Sequence, residues 1–278
     1  MGIENVVIRA QDWDERHRGV KSDARDAAAM LSRLGRWLEG DREALALVHV
    51  PEPEREMARA ESRLREQMRR TRQRMEAQGR TLMLHFGRRQ RGRWWSPVRW
   101  GALSASLEPA LRAMLEPLRE TIADIDLRLA SIEARIEAAD TGARQILGLG
   151  RLTSQVIDRE VVDWRAFPNR RAIGSITGLC PRVWGSGNSR REGPISKCGR
   201  PLLRHALIEA AWRMVVFQPD YAPVKRRLPL LLSANKQAKK KAIVAVARRL
   251  AIDLWRIRTG RAEPAQFGLR ASTPPART

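Results

Sequence analysis

Between residues 107 and 136, apolar side chains recur at Leu107, Leu111, Met114, Leu118, Ile122, Ile125, Leu129, Ile132 and Ile136, always three or four positions apart. A helix turns once every 3.6 residues, so this spacing gathers all nine on one side of a single helix about 45 Å long. An apolar stripe of that length needs a partner of matching length, which predicts an antiparallel helical hairpin or coiled coil. The partner is supplied upstream. From Glu54 onward, Met57, Leu64, Met68, Met75 and Leu82 form a sparser stripe on a second long helix. Pro109 fits a first helical turn, whereas Pro117 predicts a kink or a late start.

The hairpin is flanked by different material. ENVVIR (4–9) and ALALVHVP (44–51) read as short buried strands, the second stopped by Pro51 and Pro53. Between them, 21–40 reads as a helix with Ala27, Leu31, Leu34 and Leu38 on one face and Gly40 at its end. After Thr141–Gly142 come a glycine-punctuated turn entering a helix (147–164), two further helices (200–218 and 236–260), and a tail expected to be disordered. The expected fold is mostly α with a small α/β part. Its divisions are 1–53, 54–140, 141–265 and a tail at 266–278.

The net charge of +22 is unevenly placed. Residues 1–140 carry 26 Lys+Arg against 23 Asp+Glu, a net of +3, and residues 141–278 carry 27 against 8, a net of +19. A positive field concentrated in one half favours a polyanionic partner, with nucleic acid ahead of an anionic membrane because no amphipathic basic helix with a wide apolar face is evident. Cys180 and Cys198 stand apart, with no CxxC spacing and no histidine cluster, which argues against zinc and for a reducing compartment. The first residues lack the apolar run of a signal peptide, so a cytoplasmic, nucleoid-associated protein is expected.

Several residues bear chemistry. Asp23 and Asp26 are three apart on a helix; they share a face that suits a hard cation such as Mg²⁺, and equally suit ordinary stabilisation of a helix start. Tyr221 is the sole tyrosine, in a segment that reads as a loop. Ser186 lies between two glycines in WGSGNSRREGPISKCGRPLLRH (184–205), a turn flanked by Arg182, Arg190, Arg191, Lys197, Arg200 and Arg204. A serine attacks phosphorus only where cations absorb charge on the phosphoryl oxygens, and this stretch has them. Ser189 and Ser196 are neighbours that composition does not exclude, and a solvated turn accounts for the same composition. LGLG at 147–150 suits either a phosphate grip or a plain helix start. In GRRQRGRWWSPVRWG (87–101), Trp94, Trp95 and Trp100 suit either base stacking or a hydrophobic cap on the hairpin.

Taken together and in order, these stretches resemble a known family. VKSDARDAAAMLSRLGRWLEGDREALALVHVP is similar to the last part of the RuvC-like (RNase H-like) domain of DEDD transposases from bacterial insertion sequences. TGLCPRVWGSGNSRREGPISKCGRPLLRHALIEAAW is similar to the signature of their C-terminal transposase domain, in the insertion-sequence 110/1111 family. The resemblance spans roughly 3–262. It implies a DNA recombinase guided by a structured RNA, in which RuvC-fold carboxylates bind Mg²⁺ and a serine attacks DNA within a dimer or tetramer. Carried over by motif, Asp23 and Asp26 resemble the last two acids and Ser186 the nucleophile. The family's first two acids lie upstream of the segment where this chain starts, and Glu4, Asp12, Asp14 and Glu15 do not supply their motif. The expectation is therefore an N-terminally truncated member with impaired recombination, or a remnant that only binds DNA and RNA.

Overall fold

The computed structural model describes residues 6–8, 23–48, 50–139, 146–186 and 189–272. The chain divides into two compact units, Met1–Glu52 and Pro53–Thr278.

In the first unit, helix α1 (Asp23–Leu38) opens with Asp23 and Asp26 in its first turn, where negative charge offsets the positive end of the helix dipole. It closes at Gly40, whose φ of +107° few other residues adopt without strain. The two strands expected around this helix are reduced, among the described residues, to one antiparallel bridge between Ile8 and Leu47, with the Val48 N–H donating to the Val7 carbonyl at 2.9 Å. One bridge leaves its apolar residues uncovered: Val7, Leu47 and Val50 are exposed, as are Leu31 and Leu38 of α1. No residue of α1 is buried.

The second unit contains the expected helical hairpin. Helix α2 (Pro53–His85) and helix α4 (Pro109–Ala138) are joined through α3 (Pro97–Ala105). Ion pairs Glu61–Arg135, Arg65–Glu133 and Arg72–Asp126 fix the sense of packing, since rising numbers on α2 meet falling numbers on α4. Helix α4 starts at Pro109 and runs through Pro117, which excludes the late start. Its apolar stripe is buried at Leu111, Leu115, Ile122, Ile125, Leu129, Ile132 and Ile136, whereas Met114 points outward.

The expected stripe on α2 holds in part. Met75 and Leu82 pack on the core, whereas Met57 and Leu64 are exposed, and the fully buried residues of α2 are Ser62, Glu66, Gly79 and Met83. Glu66 is held by Arg69 at 2.8 Å and Arg70 at 2.7 Å. Burial alone would push its carboxyl up, but these hydrogen bonds outweigh burial and hold it at about 2. Arg65 and Arg72 of α2 pair instead with Glu133 and Asp126 across on α4. At the far end, Met83, Trp94, Trp95, Trp100, Leu103 and Leu107 close an aromatic cluster. Trp94 is 1% exposed and donates its Nε1–H to the Glu76 carbonyl. A Cβ at Gly79 would stand 2.1 Å from the Trp94 ring, so glycine there is required by the indole lying on α2.

The remaining helices are α5 (Arg151–Val161), α6 (Arg170–Ile176), α7 (Pro201–Phe217), α8 (Ala222–Lys225), α9 (Leu228–Leu232) and α10 (Lys236–Arg258). Helix α10 is central, packing on α6, α7, α8 and α9. Its residues 250–255 are buried all round, as an axial helix requires. Asn169 and Asn235 cap α6 and α10 by accepting two backbone N–H groups each. Arg159 bonds Glu61 and the Ala58 carbonyl, and Arg258 bonds Asp158, which ties α5 to α2 on one side and to α10 on the other.

One expectation fails here. Residues 266–272 of the supposed disordered tail are packed: Leu269 is buried, Ala271 bridges Ile146, and the buried Gln218 amide donates to the Leu147 and Arg270 carbonyls. Residues 273–278 lie outside the described residues. Tyr221 lies, as expected, in the connection after α7, as the N-cap of α8. It is fully buried, donating its hydroxyl to Asp253 at 2.8 Å, while Arg249 holds the same carboxylate. Burial and the neighbouring Asp253 push the phenol well above its ordinary range, which removes it as a nucleophile.

Candidate active site

The segment around Ser186 is a two-stranded antiparallel ribbon and not a flexible turn. Strand β1 (Pro181–Ser186) pairs with β2 (Ser189–Ile195) in the register Trp184–Arg191, Gly185–Arg190 and Ser186–Ser189. Ser186 is thus the last residue of β1, in the final pair before a two-residue connection. Gly-Asn between two strand-forming runs is a known hairpin signal, and the sequence reading passed over it. The side chains of 185–190 lie outside the described residues.

The root of the ribbon is rigid. Leu179 is buried and Ile195 packs on the same core. Ser196 N–H donates to the Cys180 carbonyl at 2.7 Å, Lys197 N–H to Gly178 at 3.1 Å and Arg200 N–H to Ile176 at 2.9 Å. Gly178 and Gly199 have positive φ, and a Cβ on either would meet carbonyl oxygen at 2.5 or 2.3 Å. Those two glycines let the strands leave and re-enter the helical body side by side.

The six expected cations divide by position. Arg182, Arg191 and Lys197 are exposed on or beside the ribbon; Arg182 lies 3.4 Å from the Ser196 carbonyl. Arg190 faces Gly185 in the register. Arg204 is turned inward, donating to the Lys197 carbonyl at 3.2 Å, and clamps the ribbon root to α7. Arg200, the N-cap of α7, is half-buried near Glu160, itself buried and paired with Arg63 at 3.1 Å. Burial, then the nearby Arg59 charge, lower the Arg200 guanidinium from its usual range. Its Nη1 has no hydrogen-bond partner.

Beside this root, α2, α5 and α7 line an open cavity of about 350 Å³ whose rim carries Arg65, Arg69, His205 and Arg213. His205 and Arg213 were missed in the sequence reading, because on α7 they read as ordinary exposed helix positions. The 147–150 turn opens α5 from Gly150 with no side-chain cap. Trp94, Trp95 and Trp100 are buried, so of their two readings the hydrophobic cap holds and base stacking does not.

Asp23 and Asp26 sit in the other compact unit, Asp23 exposed and Asp26 half-exposed. Among the described residues no group of three or more His, Cys, Asp or Glu could hold a metal ion. Two carboxylates fall short of the oxygen shell that Mg²⁺ requires, so the residues described do not by themselves fit the ion.

Comparison with known proteins gives this geometry a context. Residues 142–224, which contain the ribbon and α5 to α7, match the model of the transposase IS116/IS110/IS902 family. The chain is 28% identical over 284 residues to a Sinorhizobium fredii protein named as transposase y4rJ, covering 92% of this chain and 71% of that one. It is 27% identical over 251 residues to a Pseudomonas aeruginosa protein named as a family 20 transposase, covering 86% and 72%. To the transposase for insertion sequence element IS1111A of Coxiella burnetii it is 24% identical over 270 residues, covering 93% and 72%. The ribbon lies inside the matched domain, and the relatives named as transposases, IS1111A among them, are similar to this chain over 86–93% of its length.

Proposed function

We propose that this transposase cuts and rejoins DNA through a covalent serine intermediate, with Ser186 as the nucleophile. The observation that carries this reading is the position of Ser186: last residue of a strand, on a ribbon anchored at both roots, with exposed cations beside it. The serine oxygen forms a bond to phosphorus while the bond from phosphorus to one sugar oxygen breaks, and that sugar leaves as a hydroxyl. Attack by another sugar hydroxyl reverses the exchange and frees the serine. Each step trades one phosphate ester for another, so no external energy source is needed. Arg191 and Arg182 supply positive charge for the phosphoryl oxygens, which carry more negative charge in the transition state than in the ground state. A guide RNA selecting the target by base pairing, and assembly as a dimer or tetramer, complete the reading.

Mg²⁺ at Asp23 and Asp26 would polarise the attacked phosphate, but only with donors beyond those two, so no step is routed through it. That same shortage of metal donors among the described residues favours a second reading, in which the protein binds DNA and RNA without cutting.

The test is adduct formation on denaturing gels, using the full chain, Mg²⁺, guide RNA and DNA carrying the element's ends. The serine reading expects a protein–DNA adduct from the parent, Ser189→Ala and Ser196→Ala, and none from Ser186→Ala. An adduct that survives Ser186→Ala would sink it. DNA binding with no adduct from any variant would establish the second reading.

A further inference from the structure

We propose that Trp184 is a stacking platform for an unpaired nucleobase of the DNA strand attacked at Ser186; this rests on the serine reading of the ribbon. Trp184 is 54% exposed on strand β1 and Trp212 41% exposed on α7, whereas Trp94, Trp95, Trp100 and Trp255 are buried. Its exposure is not that of a side chain swinging in solvent. A Cβ built on Gly193 would lie 2.1 Å from Cζ3 and 2.5 Å from Cη2 of the indole, so an edge of the ring abuts the Gly193 backbone. The rest of the ring accounts for its exposure. Glycine at 193 therefore lets the indole sit against β2, and that contact orients the ring, which lowers the entropy lost when a flat ligand stacks on it.

The register is regular from Val183 to Ser186, so positions 184 and 186 share one face of β1, while Arg182 lies at the irregularity between Pro181 and Val183. Across the ribbon, Arg191 is the direct partner of Trp184. Two strand residues span roughly 6.5 Å. A base resting on Trp184 therefore belongs to a nucleotide beside the phosphate at Ser186. Exposed cations and a π-face beside position 186 fit a single strand whose phosphates meet Arg182 and Arg191 and whose base meets the ring. Bases in a duplex are stacked on one another and offer no free face, so the occupant is a nucleotide drawn out of the stack.

A purely structural role would use only the edge of Trp184 that touches Gly193, as cross-strand packing within the ribbon. The two roles separate by experiment. Fluorescence anisotropy with the full chain would compare a 20-nucleotide DNA single strand, the RNA strand of the same sequence, and the DNA duplex. Trp184→Ala should weaken binding of the DNA single strand about 10-fold. Trp184→Phe, which keeps a π-face, should stay within about 3-fold of the parent, and duplex affinity should be unchanged for both variants. In the parent, 5-iododeoxyuridine placed in the strand should photo-crosslink to Trp184. Parent-like binding by Trp184→Ala, equal losses by Trp184→Ala and Trp184→Phe, or a loss confined to the RNA strand would each overturn the proposal. None of these readouts needs serine chemistry. Failure to form a covalent adduct leaves them intact, and their failure leaves the adduct test intact.

Discussion

Two segments of this protein set tryptophan among arginines, three tryptophans in 87–101 and one in 181–195, and the fold treats them in opposite ways. In the first, Trp94, Trp95 and Trp100 are buried between the ends of the two long helices, with Trp94 lying on Gly79. In the second, Trp184 also meets a glycine, Gly193, by its ring edge, yet the ring is 54% exposed. The composition is shared and the contact to glycine is shared. What differs is whether a third element covers the ring: α4 closes over the hairpin tip, and no described element closes over the ribbon. Basic-aromatic composition therefore does not identify a nucleic-acid surface until the far side of each ring is known.

The comparison can be broken most sharply by removing one ring from each segment. Trp94→Ala should cost about 3–5 kcal/mol in denaturant titration, because it empties a packed site. Trp184→Ala should cost less than about 1 kcal/mol. Costs of similar size would mean that the two environments are not distinct. Next in size are the glycines. Gly79→Ala forces a methyl into a ring that cannot retreat and should destabilise by about 1–3 kcal/mol. Gly193→Ala meets a ring free to swing outward, so its stability effect should be under about 1 kcal/mol while single-strand binding falls.

The polar seam between the two regions offers a pH test. The Glu66 carboxyl, held at about 2 against an ordinary 4.5, contributes stability that is present above pH 4.5 and lost as pH falls toward 2. Glu66→Gln should therefore lower stability at pH 7 by about 1–3 kcal/mol. Its deficit relative to the parent should shrink between pH 4.5 and pH 2 in acid titrations followed by circular dichroism. Smallest is Arg191→Ala, which should leave the fold untouched and reduce the slope of log affinity against log salt for duplex DNA by about one contact.

Much of the scaffold was legible from periodicity. The stripe of α4, the two closing helices and the antiparallel hairpin follow from apolar spacing, because each buries many apolar side chains at helical intervals. The face of α2 was legible only at Met75 and Leu82, since Glu66 is buried through arginine pairing and Gly79 through a tryptophan contact, and no hydrophobicity pattern encodes either. The tail was misread because Arg270 and Ala271 are held by the distant Gln218 and Ile146. At the site, motif order singled out Ser186, but its strand position and the platform beside it depend on cross-strand register. Arg204 read as a DNA contact from composition alone, while in the fold its guanidinium serves the carbonyls at the ribbon root.

The central claim is that position 186 carries DNA during the reaction. It is tested most directly by digesting the denatured protein–DNA adduct with nuclease and trypsin and locating the residual nucleotide by tandem mass spectrometry. Trypsin cuts after Arg182 and Arg190, so the expected peptide is VWGSGNSR (183–190), with fragmentation placing the nucleotide on Ser186. A nucleotide on Ser189, on Ser196 or on any residue outside that peptide would contradict the account.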